Sequence, residues 1–448
     1  MLQRLLLVVL LVGILFGCAP SAKNSISNAP KEQQVAAQSP ATQVAAKAVS
    51  VDANLPVAEA KAEQSADVAA PTQAKPTAAP TNTPQSKPVN AQPVALAVGP
   101  DQFPEGVSPL TGLPVENSEN LSLPPALVSV TNFPITARPQ AGLSYSPFVF
   151  EMYIGEGMTR FLALFHGNYP QQSESAGAVP SGESIGPVRS GRLPYESLRK
   201  LYNGFLVMAS ASPNVKSSLN GFTNVFGTDS GDINSAMIPV SKLEGIAQNS
   251  GTGLDEGVLS GLRFEQNAPQ SGKEGNGLWI PYNFLNQVIW RYDAASGAYH
   301  RYQDAADGKT FVQATDRLNG DPLTYENVVV LFANHRAKAE TLIDLDLMYI
   351  SRMPALLFRD GKVYEIFWTT GNGEFERTTG HVRPIRFVDA KGNPFPLKPG
   401  QTWVEIVQPL TRYNETVNTE AYFDMKRKSQ PGSGFWAVHF YPPVPEEN

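Results

Sequence analysis

The sequence predicts an α+β protein of two domains, an N-terminal mixed α/β domain and a C-terminal, mostly antiparallel β domain, behind a disordered tether. Three observations predict this organisation. An apolar leader and an Ala- and Pro-rich stretch without aromatic residues precede the rest of the chain. The remainder is rich in Gly and Pro, which indicates many turns and short elements. A polar, Gly-rich stretch over residues 249–277 separates a first half of mixed signals from a second half of hairpins.

Residues 1–18 have the pattern of a secretory signal peptide. A single positive charge, Arg4, precedes an apolar run over residues 5–16. Twelve residues are too few for a membrane-spanning helix and typical of the apolar region of a signal peptide. The leader ends in LFGC, with Cys18 last, and this resembles a bacterial lipobox. The resemblance implies that Cys18 is acylated and begins the mature chain, whereas the alternative is a buried N-terminal helix.

Residues 19–102 are predicted to form the disordered tether. This stretch of 84 residues contains 22 alanines and 11 prolines and no aromatic side chain. Such a composition buries too little apolar surface to offset the entropy of the chain. A flexible coil of this length spans about 50 Å on average, from roughly 5–6 Å times the square root of its length. The tether would therefore carry the folded region away from the membrane.

The N-terminal domain is predicted over residues 103–255. Its strands are predicted at 126–131, 148–154, 161–165 and 205–209, and its helices at 193–202 and 214–219. The first helix is amphipathic, since Leu193, Leu198 and Leu201 fall roughly on one face. The second follows Pro213, a residue that is favoured at the start of a helix.

The C-terminal domain is predicted over residues 278–448, with hairpins as its main feature. Strands 288–292 and 298–302 flank a Ser296-Gly297 turn, and strands 355–359 and 362–368 flank Asp360-Gly361. An Asp-Gly pair between β-rich runs is a strong hairpin signal. Further strands are predicted at 327–333, 403–407 and 435–440. These signals favour an antiparallel arrangement.

Several short segments carry a resemblance to a known family. In order along the chain they are 132–143 (NFPITARPQAGL), 149–151 (VFE), 159–161 (TRF), 185–192 (IGPVRSGR), 326–332 (ENVVVLF), 358–363 (FRDGKV) and 399–403 (PGQTW). Over about residues 107–408 the chain resembles the YerB-like bacterial lipoproteins, a family of unknown function whose DUF3048 domain has N- and C-terminal parts. The resemblance implies two folded parts behind a lipid anchor. The residues after Pro409 lie beyond it.

Two positions depart from the family pattern. Residues 208–213 read MASASP where a turn similar to HAGGSP is expected, so if the histidine of that turn did chemistry in relatives, it could not do so here. Gly155-Glu156 also stands in the reverse of the expected order. The carboxylate of Glu156 is therefore not carried over as a functional group.

Composition excludes several kinds of site. The chain has 35 Lys and Arg against 41 Asp and Glu, a net charge of −6, and lacks the basic footprint of a nucleic-acid-binding protein. Cys18 is the only cysteine, which excludes an intrachain disulfide and a cysteine-ligated zinc site. The five histidines are isolated in sequence. Residues 182–186 (GESIG) fit a nucleophile elbow but lack the strand before it and the helix after it. No catalytic residue, metal or cofactor is predicted.

Four arginines and one carboxylate remain as candidate ligand-binding residues. They are Arg138, Glu151, Arg160, Arg189 and Arg192. Arg138 follows a Pro-bounded loop, and Arg189 and Arg192 lie on a Gly/Pro loop that leads into a predicted helix. Free backbone N–H groups and planar guanidinium groups suit a carboxylate or a phosphate. The alternative is a buried Arg–Glu network that fixes the conformation of the loops.

The predicted function is that of a membrane-anchored, extracytoplasmic lipoprotein acting as a non-catalytic binding or scaffolding module in the cell envelope. Its expected partners are the membrane, through the anchor, and a cell-wall polymer, peptidoglycan or an envelope protein. One alternative is an envelope hydrolase that cleaves a wall glycan or peptide with Glu151 and the arginines. Glu156 would pair with Glu151 only if the strand bent at Gly155, because side chains alternate along a strand. A purely structural lipoprotein is the third reading.

Overall fold

A computed structural model describes residues 97–169, 184–249 and 253–445 of the chain. The predicted signal peptide with Cys18, and residues 19–96 of the predicted tether, lie outside these ranges. In the described ranges no helix is both long and apolar enough to cross a membrane. All described residues belong to one compact unit, Lys87–Asn448.

The described ranges contain many short strands and few helices. The strands are β1 (Ala97–Val98), β2 (Ala126–Thr131), β3 (Phe148–Gly155), β4 (Met158–Phe165), β5 (Ser184–Ile185), β6 (Phe205–Met208), β7 (Phe222–Asn224), β8 (Ile238–Pro239), β9 (Phe264–Glu265), β10 (Lys273–Glu274), β11 (Gly277–Asn283), β12 (Asn286–Asp293), β13 (Ala298–Asp304), β14 (Phe311–Gln313), β15 (Thr324–Tyr325), β16 (Asn327–Phe332), β17 (His335–Ala339), β18 (Leu342–Leu345), β19 (Met353–Arg359), β20 (Lys362–Thr369), β21 (Arg386–Val388), β22 (Thr402–Val407), β23 (Arg412–Glu415) and β24 (Phe435–His439). The helices are α1 (Pro194–Leu201), α2 (Pro213–Lys216), α3 (Val240–Asn249), α4 (Glu374–Thr379) and α5 (Tyr422–Arg427).

The largest sheet, called the central sheet, has eleven strands from both halves of the sequence. Its order is β10-β20-β19-β16-β22-β3-β4-β2-β6-β7, with β21 paired to β20. Parallel pairing of β22 with β3 and with β16 joins the two halves. The predicted boundary at residues 250–277 therefore does not separate the strands of this sheet, and the division into two domains stays a prediction.

A second sheet packs against one face of the central sheet. It has seven strands in the order β14-β13-β12-β11-β24-β23, with β15 paired to β13. Between the two sheets lies a core with Trp290 and Tyr325 on one side and Phe161 and Trp403 on the other, whose rings are in contact. The opposite face of the central sheet packs against helix α1. Both faces of β3 and β4 are therefore buried, which explains their nearly continuous apolar sequences.

Most predicted elements are confirmed. Strand β2 has the predicted bounds, and α1 differs from its prediction by one residue at each end. Both predicted hairpins form, β12 with β13 and β19 with β20. Helix α2 ends earlier than predicted, and α3 and β11 were not predicted. The fold is thus mostly β, with few and short helices.

The tether prediction is wrong at its C-terminal end. Residues 97–102 are described, and β1 pairs antiparallel with β9. Val98 is buried in the core beside Leu262 and Phe264. Composition could not reveal this strand, because the residues that cover it lie far along the chain.

Candidate functional site

The central sheet separates the five candidate residues onto two faces. Glu151 lies on β3 between Val149 and Tyr153, which face the core between the sheets. Arg160 precedes Phe161, which faces that same core, so Arg160 points to the other face. Arg138 is on the side of Glu151, whereas Arg189 and Arg192 are neighbours of Arg160. The structure thus brings three of the five residues together, and not all five.

Glu151 is part of a buried ion pair. Its exposed fraction is 0%, its Oε1 accepts a hydrogen bond from Thr159 Oγ1 (2.7 Å), and its Oε2 accepts one from Arg301 Nη2 (2.7 Å). The Arg301 guanidinium lies 4.6 Å from the centre of the Trp403 ring. A structural Arg–Glu network therefore does exist around Glu151, but its arginine is Arg301 rather than a candidate residue.

A second buried carboxylate lies directly beside Glu151. Glu405 on β22 is its register partner on β3, and it too has an exposed fraction of 0%. Tyr282 Oη donates to its Oε2 (2.7 Å), and Trp290 Nε1 donates to its Oε1 (2.9 Å). Burial and the neighbouring charge of Glu151 raise the pKa of Glu405 to about 8. Glu405 is therefore mostly protonated at neutral pH.

Two adjacent carboxyl groups, one of which has a raised pKa, resemble an acid–base pair. Both are sealed beneath other side chains, however, and all four of their oxygens already have hydrogen-bond partners within the protein. Glu156 cannot replace either group, since it is exposed in the turn after Gly155. The bend at Gly155 leads into β4 and does not bring Glu156 back to Glu151. The hydrolase alternative thus lacks an accessible pair of carboxylates in this arrangement, because Glu151 is buried whereas Glu156 is exposed in the turn.

Arg160, Arg189 and Arg192 form a group that we call the arginine triad. Arg160 is only 7% exposed; its Nη1 donates to the Ser190 carbonyl (3.2 Å), and its Nε is buried without a partner. Arg192 Nη1 donates to the Gly191 carbonyl (3.1 Å), and its buried Nε also lacks a partner. Arg189 donates to the Ile233 carbonyl and to Asn234 Oδ1. Within the described ranges, none of the three lies within ion-pair distance of a carboxylate.

The charges of the triad act on one another. Burial lowers the pKa of Arg160 to about 10; Tyr195 opposes this effect, and the charges of Arg192 and Arg189 lower the pKa further. Arg160 nevertheless remains charged at neutral pH. The triad is thus a partly buried group of like charges that a bound anion would stabilise.

Backbone pairing places the triad at the end of parallel strands. Arg189 N donates to the Ser129 carbonyl (2.9 Å), and Ala209 N donates to the Arg189 carbonyl (2.9 Å). The loop that carries two of the arginines is therefore held between β2 and the residues after β6. Strands β2, β6 and β7 are parallel, and loops at the carboxyl ends of parallel strands commonly bind ligands.

Arg138 occupies a different environment. Its Nε donates to the carbonyl and to Oδ1 of Asn132 (3.2 Å each), and its Nη1 donates to the Asp304 carbonyl (2.7 Å). Its Nη2 is buried and has no partner. Burial and the charge of Arg301 lower the pKa of Arg138 to about 10, against the effect of Glu151 and Asp304.

Sequence reasoning missed Arg301 and Glu405. Glu405 is the only charged residue of β22 (TWVEIV), as Glu151 is of β3 (FVFEMYIG). A lone charge in an apolar strand is a usable signal, since charged side chains are rarely fully buried without a partner. Arg301 lies in a strand of mixed composition, AYHRYQD, and gives no such signal. Across residues 97–169, 184–249 and 253–445, no group of three or more His, Cys, Asp or Glu is placed to hold a metal.

Comparisons with known proteins match both halves of the chain. The family model described as "Protein of unknown function (DUF3048) N-terminal domain" matches residues 110–237, and the corresponding C-terminal domain model matches residues 279–404. "Putative lipoprotein YerB" of Bacillus subtilis (strain 168) is 29% identical over 328 residues, which cover 69% of this chain and 89% of YerB. The crystal structure of the YerB protein from Bacillus subtilis is similar with a TM-score of 0.52 and 27% identity, covering 67% of this chain and 96% of that one.

Proposed function

Since this chain belongs to the YerB-like family of DUF3048 proteins, we propose that it is a lipid-anchored, extracytoplasmic protein that acts as a non-catalytic binding module in the cell envelope. Its Bacillus subtilis relative is named as a lipoprotein, which supports a lipid anchor. The apolar leader that ends in Cys18 supports the same kind of anchor here. A single acyl chain binds membranes only weakly, so stable anchoring requires several chains on Cys18.

The arginine triad is the proposed binding site, and its ligand is an anionic oxygen group of an envelope polymer or protein. The observation that carries this proposal is the nearly buried Arg160, which has an unpartnered Nε and two like charges as neighbours. A buried charge without a counter-ion is destabilising by several kcal/mol as an order of magnitude. A carboxylate or phosphate would supply the missing acceptors, since the planar guanidinium binds both.

The hydrolase alternative receives no support from the geometry. Glu151 and Glu405 are fully buried, and Glu156 lies apart from both. The triad contains donors of hydrogen bonds and no general base. Binding without cleavage is therefore the chemistry that the triad supports.

Binding of the purified protein to isolated wall polymers tests the proposed site. Arg192→Ala removes a half-buried member of the triad and should weaken binding at least tenfold, about 1.4 kcal/mol. Arg199→Ala is the matched control, because Arg199 lies on α1 nearby but pairs with Glu196 (2.7 Å). Competition by inorganic phosphate or by acetate distinguishes a phosphate-bearing polymer from a carboxylate-bearing one.

Two outcomes would contradict the proposal. Equal binding by wild type, Arg189→Ala and Arg192→Ala would remove the triad as the ligand site. Release of soluble wall fragments by the wild type would overturn the non-catalytic role. Both measurements use the same wall fractions, so binding and cleavage are compared on one material.

The anchor has its own test. Cys18→Ala should release the protein from the membrane fraction of the producing cell, because the acylated thiol is removed. Ser21→Ala, three residues later, is the control and should remain in that fraction. Retention of the Cys18→Ala variant in membranes would contradict lipid anchoring.

A further inference from the structure

A cavity of about 290 Å³ lies between the Pro-bounded loop that carries Arg138 and the strand pair β13–β14. Its volume is at the lower end of the range for ligand pockets, roughly 300–1,000 Å³. Arg138 and Gln140 line one wall, and Gln303 and Gln313 line the other. This cavity does not include any residue of the arginine triad.

Arg138 lines this cavity, and one nitrogen of its guanidinium has no hydrogen-bond partner among the residues that the structure describes. Its Nε and Nη1 bind neutral oxygens of Asn132 and Asp304, while Nη2 is buried without a partner. The Asp304 carboxylate is not the acceptor for Arg138 Nη2. Its Oδ1 accepts from the backbone N–H groups of Asp307 and Gly308, and its Oδ2 accepts from Gln287 Nε2. Among the residues that the structure describes, the positive charge of Arg138 thus lacks a direct counter-ion.

Apolar side chains surround the cavity. Ile135 and Val312 both line it, and their exposed fractions are 43% and 56%. Pro139, Ala305 and Ala314 add further apolar lining. The cavity therefore combines apolar side chains with polar groups that could orient a small organic ligand.

We propose that this cavity binds a small monocarboxylate, either a free acid or the carboxyl terminus of a peptide, whose carboxylate accepts a hydrogen bond from Arg138 Nη2 and whose apolar part packs against Ile135 and Val312. A phosphate group suits the cavity less well, because it carries more charge and three acceptor oxygens, whereas only one nitrogen of the guanidinium lacks a partner. This site is distinct from the triad and does not depend on the proposed function.

Binding of defined probes to the full chain tests the proposal. The probes are N-acetyl-alanyl-alanine, the same dipeptide with a C-terminal amide, and butyrate, each titrated calorimetrically. At least one of the two acids should bind, and the amide should bind at least tenfold more weakly than its acid. Binding of butyrate would identify a free acid as sufficient, and binding of the dipeptide alone would identify a peptide terminus.

Variants separate this site from folding defects and from the triad. Val312→Trp enlarges an exposed side chain at the cavity and should abolish acid binding, whereas Leu410→Trp, at a position 83% exposed that does not line the cavity, should not. Arg138→Lys keeps the charge and removes the guanidinium, so it should weaken binding at least tenfold with an unchanged melting temperature as the folding check. Arg192→Ala should bind the acids as wild type does. Failure of both acids to bind, equal binding of acid and amide, or full binding by Val312→Trp would overturn the proposal.

Discussion

The protonated carboxyl group of Glu405 makes the stability of the fold depend on pH. A carboxyl group whose pKa is raised on folding binds more protons in the native state than in the unfolded state. The protonated Glu405 therefore contributes fully to the unfolding free energy below the pKa of the unfolded state, about 4.3 for glutamate. This contribution is lost as the pH rises through the folded-state pKa of about 8. Above pH 8 the native state must bury a second negative charge beside Glu151, with Arg301 as the ion-pair partner.

Glu405→Gln removes this titration and keeps the shape of the protonated group. The amide can still accept from Trp290 Nε1 and bond to Tyr282 Oη, so we expect the unfolding free energy at pH 5 to change little. Each pH unit between the two pKa values changes the wild-type contribution by about 1.4 kcal/mol. Between pH 5 and pH 8 the unfolding free energy of the variant should therefore rise by about 4 kcal/mol relative to that of the wild type.

Denaturant unfolding of both proteins at several pH values measures this difference. Contributions from titrating groups remote from Glu405 and Glu151 cancel in the comparison, because only one residue differs. Glu365→Gln on β20 is the control, since that side chain is 55% exposed and its removal should change stability by less than about 1 kcal/mol at any pH. A constant difference between wild type and Glu405→Gln over this range would refute the proposed protonation state.

Three further changes test other parts of the fold by denaturant unfolding. Arg301→Ala leaves the buried Glu151 carboxylate without its ion pair and should cost about 3–5 kcal/mol; a loss below about 1 kcal/mol would contradict the network. Burial lowers the pKa of His166 to about 4, so the unfolding free energy of the wild type should fall as the pH falls from about 6.5. The unfolding free energy of His166→Gln should be lowered by about 3 kcal/mol less between that pH and pH 4. Parallel dependence of the two proteins on pH would contradict the buried, neutral histidine. Gly155 has φ +102°, and a Cβ added there would collide with the Glu340 carbonyl. Gly155→Ala should therefore lower the unfolding free energy by more than about 1 kcal/mol. An unchanged unfolding free energy would contradict the described conformation of this turn.

Local patterns predicted many of the strands and two of the helices. The Asp360-Gly361 hairpin forms as predicted because the turn and both strands lie within one short stretch of sequence. Strand β1 was missed because its partner, β9, is distant along the chain. The pairing of β22 with β3 was likewise absent from the prediction, since parallel partners need not be neighbours in sequence.

Only part of the candidate site was predicted, because some of its residues lie close together in the sequence and others do not. Arg189 and Arg192 lie on one loop, and their proximity follows from the sequence. Adding Arg160 and Glu151 to one group ignored the pleat of β3 and β4, which points these two side chains to opposite faces. Arg301 could not be paired with Glu151 in advance, because 150 residues separate them.

By itself the sequence determined the family resemblance, the lipobox pattern at Cys18, the Ala- and Pro-rich composition of the tether and the positions of eleven of the 24 strands that the structure describes. These properties depend on residues that are close together in the chain. Only the tertiary structure decided which charges are paired, since it places Arg301 and the protonated Glu405 beside Glu151 and, among the described residues, puts no carboxylate within ion-pair distance of the arginine triad. The cost of a charge depends on its burial and on its neighbours in space, and both arise only when distant strands meet in one sheet.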